Sequence, residues 1–226
     1  MIAGSGSSTP PVCTFRGCGS RPRRARSLLA MRVVAGELKG RKLVAPPGDA
    51  TRPTTDKVRE AMFNALRSLD VVLDAQVLDL FAGTGALGIE ALSRGAADVT
   101  FVENRRAALR ALHANIDALD LGRRCRVEEA DASNPTVLSR LSQQLGGPSD
   151  KNADKKGDEE GMLVFVDPPY DFERWDGVFE TLASLDPLPF VVAESGRELH
   201  PSSPWSVIRS RRYGRTWVAF CTAQEN

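Results

Sequence analysis

From residue 76 onward, short apolar runs alternate with helical stripes. Val77, Leu78, Leu80 and Phe81 crowd around Asp79, a run of the length and density of a buried strand. A helical pattern then opens at Ala86 and stops at Gly95, a residue suited to a C-terminal cap. Val99, Phe101 and Val102 mark a second strand over 98–103, followed by a helix over 105–119. A third strand over 124–129 leads to a helix from Asn134 to Leu145, and Met162–Val166 is a fourth strand. A helix over 172–185, with Trp175, Phe179 and Leu182, precedes a fifth strand over 188–194. Repeated strand–helix units predict a parallel sheet covered on both faces, with ligands at the carboxyl ends of its strands. Trp205–Ser210 and Thr216–Cys221, on either side of Arg211–Arg215, predict a closing antiparallel hairpin.

Upstream of this core, residues 32–45 read as a hairpin: an apolar run, a turn holding Gly36 and Gly40, and a second strand through Leu43 and Val44. Pro46-Pro47-Gly48 breaks it. Thr51–Asp56 is extended and ends in residues that cap helices well. The helix after it runs to Leu69 with Val58, Met62, Ala65, Leu66 and Leu69 on one face. Residues 1–30 are rich in Gly, Ser, Pro and Arg, and 146–161 contain no large apolar residue, so both are expected to be disordered. Strand–helix alternation resumes after 161, which makes 146–161 a loop insertion rather than a boundary. The expected organisation is a basic tail over 1–30, a hairpin plus helix over 31–70, and an α/β domain over 71–226. Organised sequence begins directly after Met31, which is therefore a candidate for the true start. No internal repeat is evident.

Composition changes this picture in one respect. The chain of 226 residues is 42% hydrophobic and 26% charged with a net charge of +1, ordinary for a soluble domain able to bury a large core. Five arginines and no acid fall within residues 1–30, leaving 25 basic against 29 acidic side chains elsewhere. The body is thus mildly acidic, and any affinity for nucleic acid must come from local patches. One such patch is evident. Between Arg32 and Arg59 stand seven basic residues, Arg32, Lys39, Arg41, Lys42, Arg52, Lys57 and Arg59, against three acids. They make either an RNA-contacting surface or an ordinary solvated face. No apolar run is long enough to span a bilayer. Cys13, Cys18, Cys125 and Cys221 are scattered, and Cys13-x4-Cys18 lacks partners that would complete a zinc site, so reduced thiols in a cytoplasmic protein are expected.

Three local features carry chemistry. Gly83-Thr84-Gly85, between the first strand and its helix, lets the backbone turn sharply and leaves bare main chain open to a ligand. The helix's first amides are expected to face whatever binds there. With Gly88 the turn matches G-x-G-x-x-G. Glu103, at the end of the second strand and about 20 residues past the glycines, stands where a ribose diol is held in doubly wound folds. Asp131, just past the third strand, could meet an adenine amino group or cap the next helix. The third feature is Asp167-Pro168-Pro169-Tyr170, directly after the fourth strand. The proline pair donates no backbone hydrogen bond and fixes both φ angles, so the Asp167 carboxylate and the Asp167 and Pro168 carbonyls become rigid acceptors. Such an array suits the two N–H donors of an exocyclic amine on a planar base. Holding those hydrogens favours a pyramidal nitrogen whose lone pair faces an electrophile, and positioning supplies most of the rate. Tyr170 would stack on the base, worth roughly 1–3 kcal/mol.

The combination resembles class I S-adenosylmethionine-dependent methyltransferases of the amino-methylating type, marked by (Asp/Asn/Ser)-Pro-Pro-(Tyr/Phe). More closely, VAGELKGRKL, RPTTDKVREAMFNAL, LDLFAGTGALGIEALSRGA and VFVDPPY are similar to the bacterial 16S ribosomal RNA guanine-N2 methyltransferase family, type D, over about residues 31–222. The resemblance implies a Rossmann-like, doubly wound, mostly parallel seven-stranded sheet with a C-terminal antiparallel hairpin and a small N-terminal hairpin-and-helix appendage. It implies methyl transfer from S-adenosylmethionine to the N2 of one guanine in 16S ribosomal RNA, free or within a small-subunit particle. It also implies roles by position. Asp79, Phe81, Ala82, Gly83, Thr84 and Gly85 would line the methionine part of the cofactor, Glu103 with Asn104 the ribose, and Asp131 with Ala132 the adenine. Asp167, Pro168, Pro169 and Tyr170 would hold the target guanine. Arg32, Lys39, Arg41, Lys42, Arg52, Thr54 and Arg59 would face RNA or the pocket mouth. No metal, no membrane and no more than a monomer is expected.

Three rival functions share parts of this pattern. An NAD(P)-dependent oxidoreductase would use the glycine turn, but the Pro-Pro-Tyr array has no hydride-transfer role. A DNA or RNA adenine- or cytosine-amino methyltransferase would keep the core and differ in target recognition. A catalytically inactive assembly protein would use the same surface without the chemistry.

Overall fold

The computed structural model describes residues 1, 31–46, 56–145 and 161–224. The expected disorder of 1–30 and of most of 146–161, and the sites at Arg52 and Thr54, lie outside the described residues. One seven-stranded sheet organises the chain, in the order β3-β2-β1-β4-β5-β7-β6. β1 (Gln76–Leu80), β2 (Asp98–Glu103), β3 (Cys125–Glu129), β4 (Met162–Val166) and β5 (Phe190–Ser195) run parallel. β6 (Trp205–Tyr213) and β7 (Thr216–Ala223) form the reversed hairpin, with β7 antiparallel to β5 and a bulge in β6 between Val207 and Arg209.

Central parallel strands are covered on both faces, so they need apolar side chains at consecutive positions. That is why Met162–Val166 is buried throughout. Alternation sends Val77, Phe101, Phe165 and Val192 into one core and Leu78, Leu80, Val164 and Ala193 into the other. α2 (Ala86–Ser93) and α3 (Arg106–Ala118) contribute Ile89, Leu92, Leu112 and Ile116 to the first. α4 (Pro135–Leu145) and α5 (Trp175–Leu182) contribute Leu138, Leu141, Val178 and Leu182 to the second. The helix expected over 172–185 is shorter at both ends. Phe172 donates its N–H to the Pro169 carbonyl in a turn, which keeps 172–174 out of the helix and in the wall of the site.

The N-terminal unit shares the first core rather than standing apart. Met31, Val33 and Leu43, with Met62, Phe63 and Leu66 of α1 (Asp56–Ser68), are buried in it. The expected hairpin strands reduce to one antiparallel bridge, Arg32 with Lys42, flanked by main-chain bonds from Leu43 to Met31 and from Val33 to Arg41. This segment is also bonded to α2. Val34 and Ala35 donate to the Glu90 carboxylate at 2.7 and 3.0 Å, and Glu37 and Leu38 donate to the Ser93 carbonyl and hydroxyl at 2.8 and 3.0 Å. The approach is close enough that a Cβ on Gly36 would lie 1.7 Å from the Ser93 carbonyl oxygen, and its φ of +84° already favours glycine.

Glu90 is fully buried between two arginines, Arg94 at 2.8 Å and Arg59 at 3.5 Å. This overturns the expectation that Arg59 faces RNA. Its side chain has no exposure, pairs with Asp56 and Glu90, and donates to the Arg32 carbonyl. On α1 it takes a core position one turn from Met62 and Phe63, displacing Val58 to a partly buried place. Replacing Glu90 by Ala strips two arginines of a buried partner and should cost about 3–5 kcal/mol. Urea unfolding measures this. A loss below about 1 kcal/mol would mean that apolar contacts alone dock the N-terminal unit.

Candidate active site

The carboxyl ends of β1, β2, β4 and β5 open into a cavity of about 570 Å³. Its wall includes Asp79, Phe81, Ala82, Gly83 and Thr84 from the first turn, Glu103 and Asn104 from the second, and Asp131 from the third. Asp167, Pro168, Pro169 and Tyr170 line it from the fourth, so the residues expected from sequence to bind cofactor and base meet in one cavity. Gly85 and Ala132 are buried behind the wall. Gly85 has a φ of +78°, and a Cβ on it would lie 2.5 Å from Leu112 Cδ1, so only glycine fits between the turn and α3.

Two buried carboxylates shape the turn. Glu103, 3% exposed, accepts the Gly83 N–H at 2.8 Å on one oxygen and the Asn104 and Arg105 N–H groups at 2.9 and 2.8 Å on the other. Asp79, 1% exposed, accepts the Gly88 N–H at 2.9 Å. Gly85 donates to the Ala82 carbonyl at 2.7 Å. Three amides, those of Gly83, Gly85 and Gly88, are therefore taken up internally, so of the first helical amides expected to face a ligand that of Gly88 does not. Phe81, directly after β1, has a φ of +61°, a left-handed conformation that costs roughly 1–2 kcal/mol for a residue with a Cβ. The turn carries its ring onto Phe172, with centroids 5.2 Å apart.

Asp131 accepts the Ser133 N–H at 2.9 Å and hydroxyl at 2.5 Å. The cap of α4 is Asn134, which accepts from Thr136 N–H at 3.0 Å. Asp131 is thereby left on the cavity wall with Arg174 at 3.6 Å. The Ser133 hydrogen bonds hold its carboxyl below the usual range. Tyr170 is 57% exposed at the cavity mouth, its hydroxyl 3.1 Å from that of Thr216 on β7. Asp167 N–H reaches the Leu80 carbonyl at 3.4 Å, which fixes the end of β4 beside that of β1.

The charge of the wall is one-sided. Glu103, Asp131, Asp167, Asp171 and Glu194 line it, besides the buried Asp79, against Arg105 and Arg174. Such a wall fits a cationic, donor-rich nucleoside such as S-adenosylmethionine and disfavours the pyrophosphate of a dinucleotide. Of the basic residues, Arg32, Lys39, Arg41 and Lys42 are exposed on the hairpin, Arg32 paired with Asp56 at 3.3 Å and Arg41 donating to the Ala118 carbonyl at 2.7 Å. Sequence reasoning missed Phe172, Arg174, Met31, Ala45, Pro46 and Glu194, all of which line the cavity. Among the described residues Cys125 and Cys221 are free, burial pushing both thiols up to about 12. No helix among them is long and apolar enough to cross a membrane.

A parallel sheet with a reversed last hairpin, and a cavity at its strand ends set by a glycine turn and an acid on the second strand, define a Rossmann-like class I methyltransferase fold. The model of the family described as "Conserved hypothetical protein 95" matches residues 31–222. The chain belongs to that family, which includes the ribosomal RNA small subunit methyltransferase D proteins. It is 42% identical over 140 residues to the protein of that name from Escherichia coli (strain K12), a match covering 62% of this chain and 60% of the relative's length. The Haemophilus influenzae protein of the same name is 32% identical over 189 residues, covering 81% and 89%. Among solved structures, that of Escherichia coli yhhF is similar with a TM-score of 0.68 at 34% identity, covering 87% of this chain and 99% of that one.

Burial pushes the Asp79 carboxyl from the usual 3.8 up to about 8. The Gly88 N–H pulls it back in part, and the Glu103 charge pushes it further up. Between those two values the folded protein holds a proton that the unfolded chain has released, so stability falls as pH rises through this window and levels off above it. Asp79→Asn keeps an acceptor for Gly88 and removes the titration. Wild type should therefore lose stability relative to this variant as pH rises from about 4 to 8, measured by urea unfolding of both proteins. A difference that does not vary with pH would mean that Asp79 is ionised in the folded state.

Proposed function

We propose that the protein transfers a methyl group from S-adenosylmethionine to the exocyclic N2 amine of a guanine in 16S ribosomal RNA, in the cytoplasm, as a monomer acting on rRNA or an assembling small subunit. The observation that carries this is the adjacency in one cavity of the Asp167-Pro168-Pro169-Tyr170 acceptors and the glycine turn with its two carboxylates. The names of the relatives support ribosomal RNA as the substrate class.

S-adenosylmethionine, when bound, supplies a methyl group on a sulfonium. Glu103 is the acceptor for the ribose diol, through the lone pair that its Oε2 keeps beyond the Gly83 N–H. Asp131 and Ala132 lie toward the adenine, and Asp79 with Phe81–Gly85 toward the methionine part. The Asp167 carboxylate and the Asp167 and Pro168 carbonyls hold the two amine hydrogens of the base and orient its nitrogen lone pair. Tyr170, held at the mouth by Thr216, is placed to cover the face of a base that has left its stack. Arg32, Lys39, Arg41 and Lys42 form the surface offered to the RNA backbone, so their loss should weaken binding without regard to sequence.

The first experiment is methyl transfer from labelled S-adenosylmethionine to 16S rRNA and to 30S particles from cells lacking the protein, with nucleoside analysis of the product. N2-methylguanosine at one position is expected. N6-methyladenosine or N4-methylcytidine would overturn the base, and no transfer despite tight cofactor binding would favour the assembly-factor function. Asp167→Ala should lower the rate at least ~100-fold, since it removes an acceptor used at the reacting nitrogen, while S-adenosylhomocysteine affinity stays within about threefold by calorimetry. Near wild-type turnover would refute the acceptor role.

A further inference from the structure

The last residue but one of the fifth strand is a glutamate that the cofactor does not account for. Glu194 is 5% exposed and lines the cavity together with Asp167 and Tyr170. The register pairing Val166 with Ala193 continues by one residue to set Glu194 beside Asp167, on neighbouring strands about 4.8 Å apart. Their side chains share a face by alternation, since Phe165 and Val192, two residues earlier on each strand, enter the same core. Two carboxylates thus stand side by side on the wall at the base-holding end, one of them within the Asp-Pro-Pro-Tyr array.

The pairing of acceptors is selective among bases. An ionised carboxylate is an acceptor only. Guanine presents its N2 amine next to a ring N1–H, two adjacent donors. Adenine presents its N6 amine next to the N1 lone pair, and cytosine its N4 amine next to the N3 lone pair. When Asp167 and the proline carbonyls take the amine hydrogens, the neighbouring acceptor must face the adjacent ring nitrogen. Glu194 there is met by a donor in guanine and by a repelling lone pair in adenine or cytosine. We propose that Glu194 is the specificity-determining residue that selects guanine, accepting the N1–H while the Asp167 array holds N2. This rests on the N2-methylation proposed above and supplies its base preference from this chain's own residues.

The test uses 16S rRNA carrying either guanine or 2-aminopurine at the position mapped by the first experiment, the analogue keeping the N2 amine and presenting a lone pair at N1. Wild type should favour guanine by ~100-fold or more in kcat/KM, since the analogue leaves a buried carboxylate facing a lone pair. Glu194→Gln, whose amide can donate to that lone pair, should bring the ratio to within about tenfold, with S-adenosylhomocysteine affinity unchanged. The proposal is overturned if wild type uses both RNAs within about threefold, or if Glu194→Gln keeps the wild-type ratio. Should that variant not fold, Glu194→Asp, which retracts the acceptor by one methylene, must narrow the ratio, and a retained ratio equally overturns the proposal. Failure of the N2 assignment is visible separately, as absence of N2-methylguanosine when wild type acts on unsubstituted rRNA.

Discussion

Glu103 links the second strand to the glycine turn of the first, and the shape of the cavity depends on that bond. One carboxylate oxygen takes the Gly83 N–H and the other takes two amides of its own strand end, so the ends of β1 and β2 are held together at the main chain. Asp79 repeats the device lower in the sheet, tying β1 to α2 through Gly88. Buried carboxylates are tolerated only when their lone pairs are matched by donors, and backbone amides of a tight turn are rigid donors that need no side-chain ordering. The same geometry accounts for the strained Phe81, since a left-handed residue directly after β1 brings Gly83 within reach of Glu103.

A third buried acid, Glu90, does for the N-terminal unit what Glu103 does for the turn. It joins the hairpin amides of Val34 and Ala35 to Arg59 of α1 and Arg94 after α2. The consequence reaches the site through Asn115 of α3. Its side-chain amide exchanges hydrogen bonds with Val44 at 2.7 and 3.1 Å and donates to the Thr84 carbonyl at 3.0 Å. The chain segment carrying Ala45 and Pro46 to the cavity mouth is thus fixed to the glycine turn itself. The basic hairpin and the cavity are positioned by one continuous polar framework.

What was legible in the sequence were the features whose cause is local. Apolar runs at strand length, a glycine turn after the first strand, and acids or a proline pair at strand ends each declare themselves within a few residues, and they yielded the sheet, its reversed hairpin and most of the cavity wall. What was not legible depends on partners far along the chain. Arg59 looks like surface charge because its buried partner Glu90 lies 31 positions on, inside a helix otherwise apolar. Glu194 reads as an unremarkable strand end until the register sets it beside Asp167. The Gly83 amide looked available because a motif does not reveal that the neighbouring strand supplies its acceptor, Glu103.

The separation of charge between hairpin and cavity constrains how the proposed substrate can enter. A wall with five acids besides the protonated Asp79, against two arginines, repels a phosphodiester, and the exposed hairpin residues Arg32, Lys39, Arg41 and Lys42 attract one. A nucleotide in a continuous stack cannot meet both conditions, since its base and phosphate would approach the same face together. A nucleotide rotated out of its stack can, with its phosphates left on the basic surface and an uncharged, donor-rich base inserted alone. The acidic lining therefore acts against the backbone as well as for the base, and for the proposed guanine it favours a place in a loop or bulge, where leaving the stack costs least.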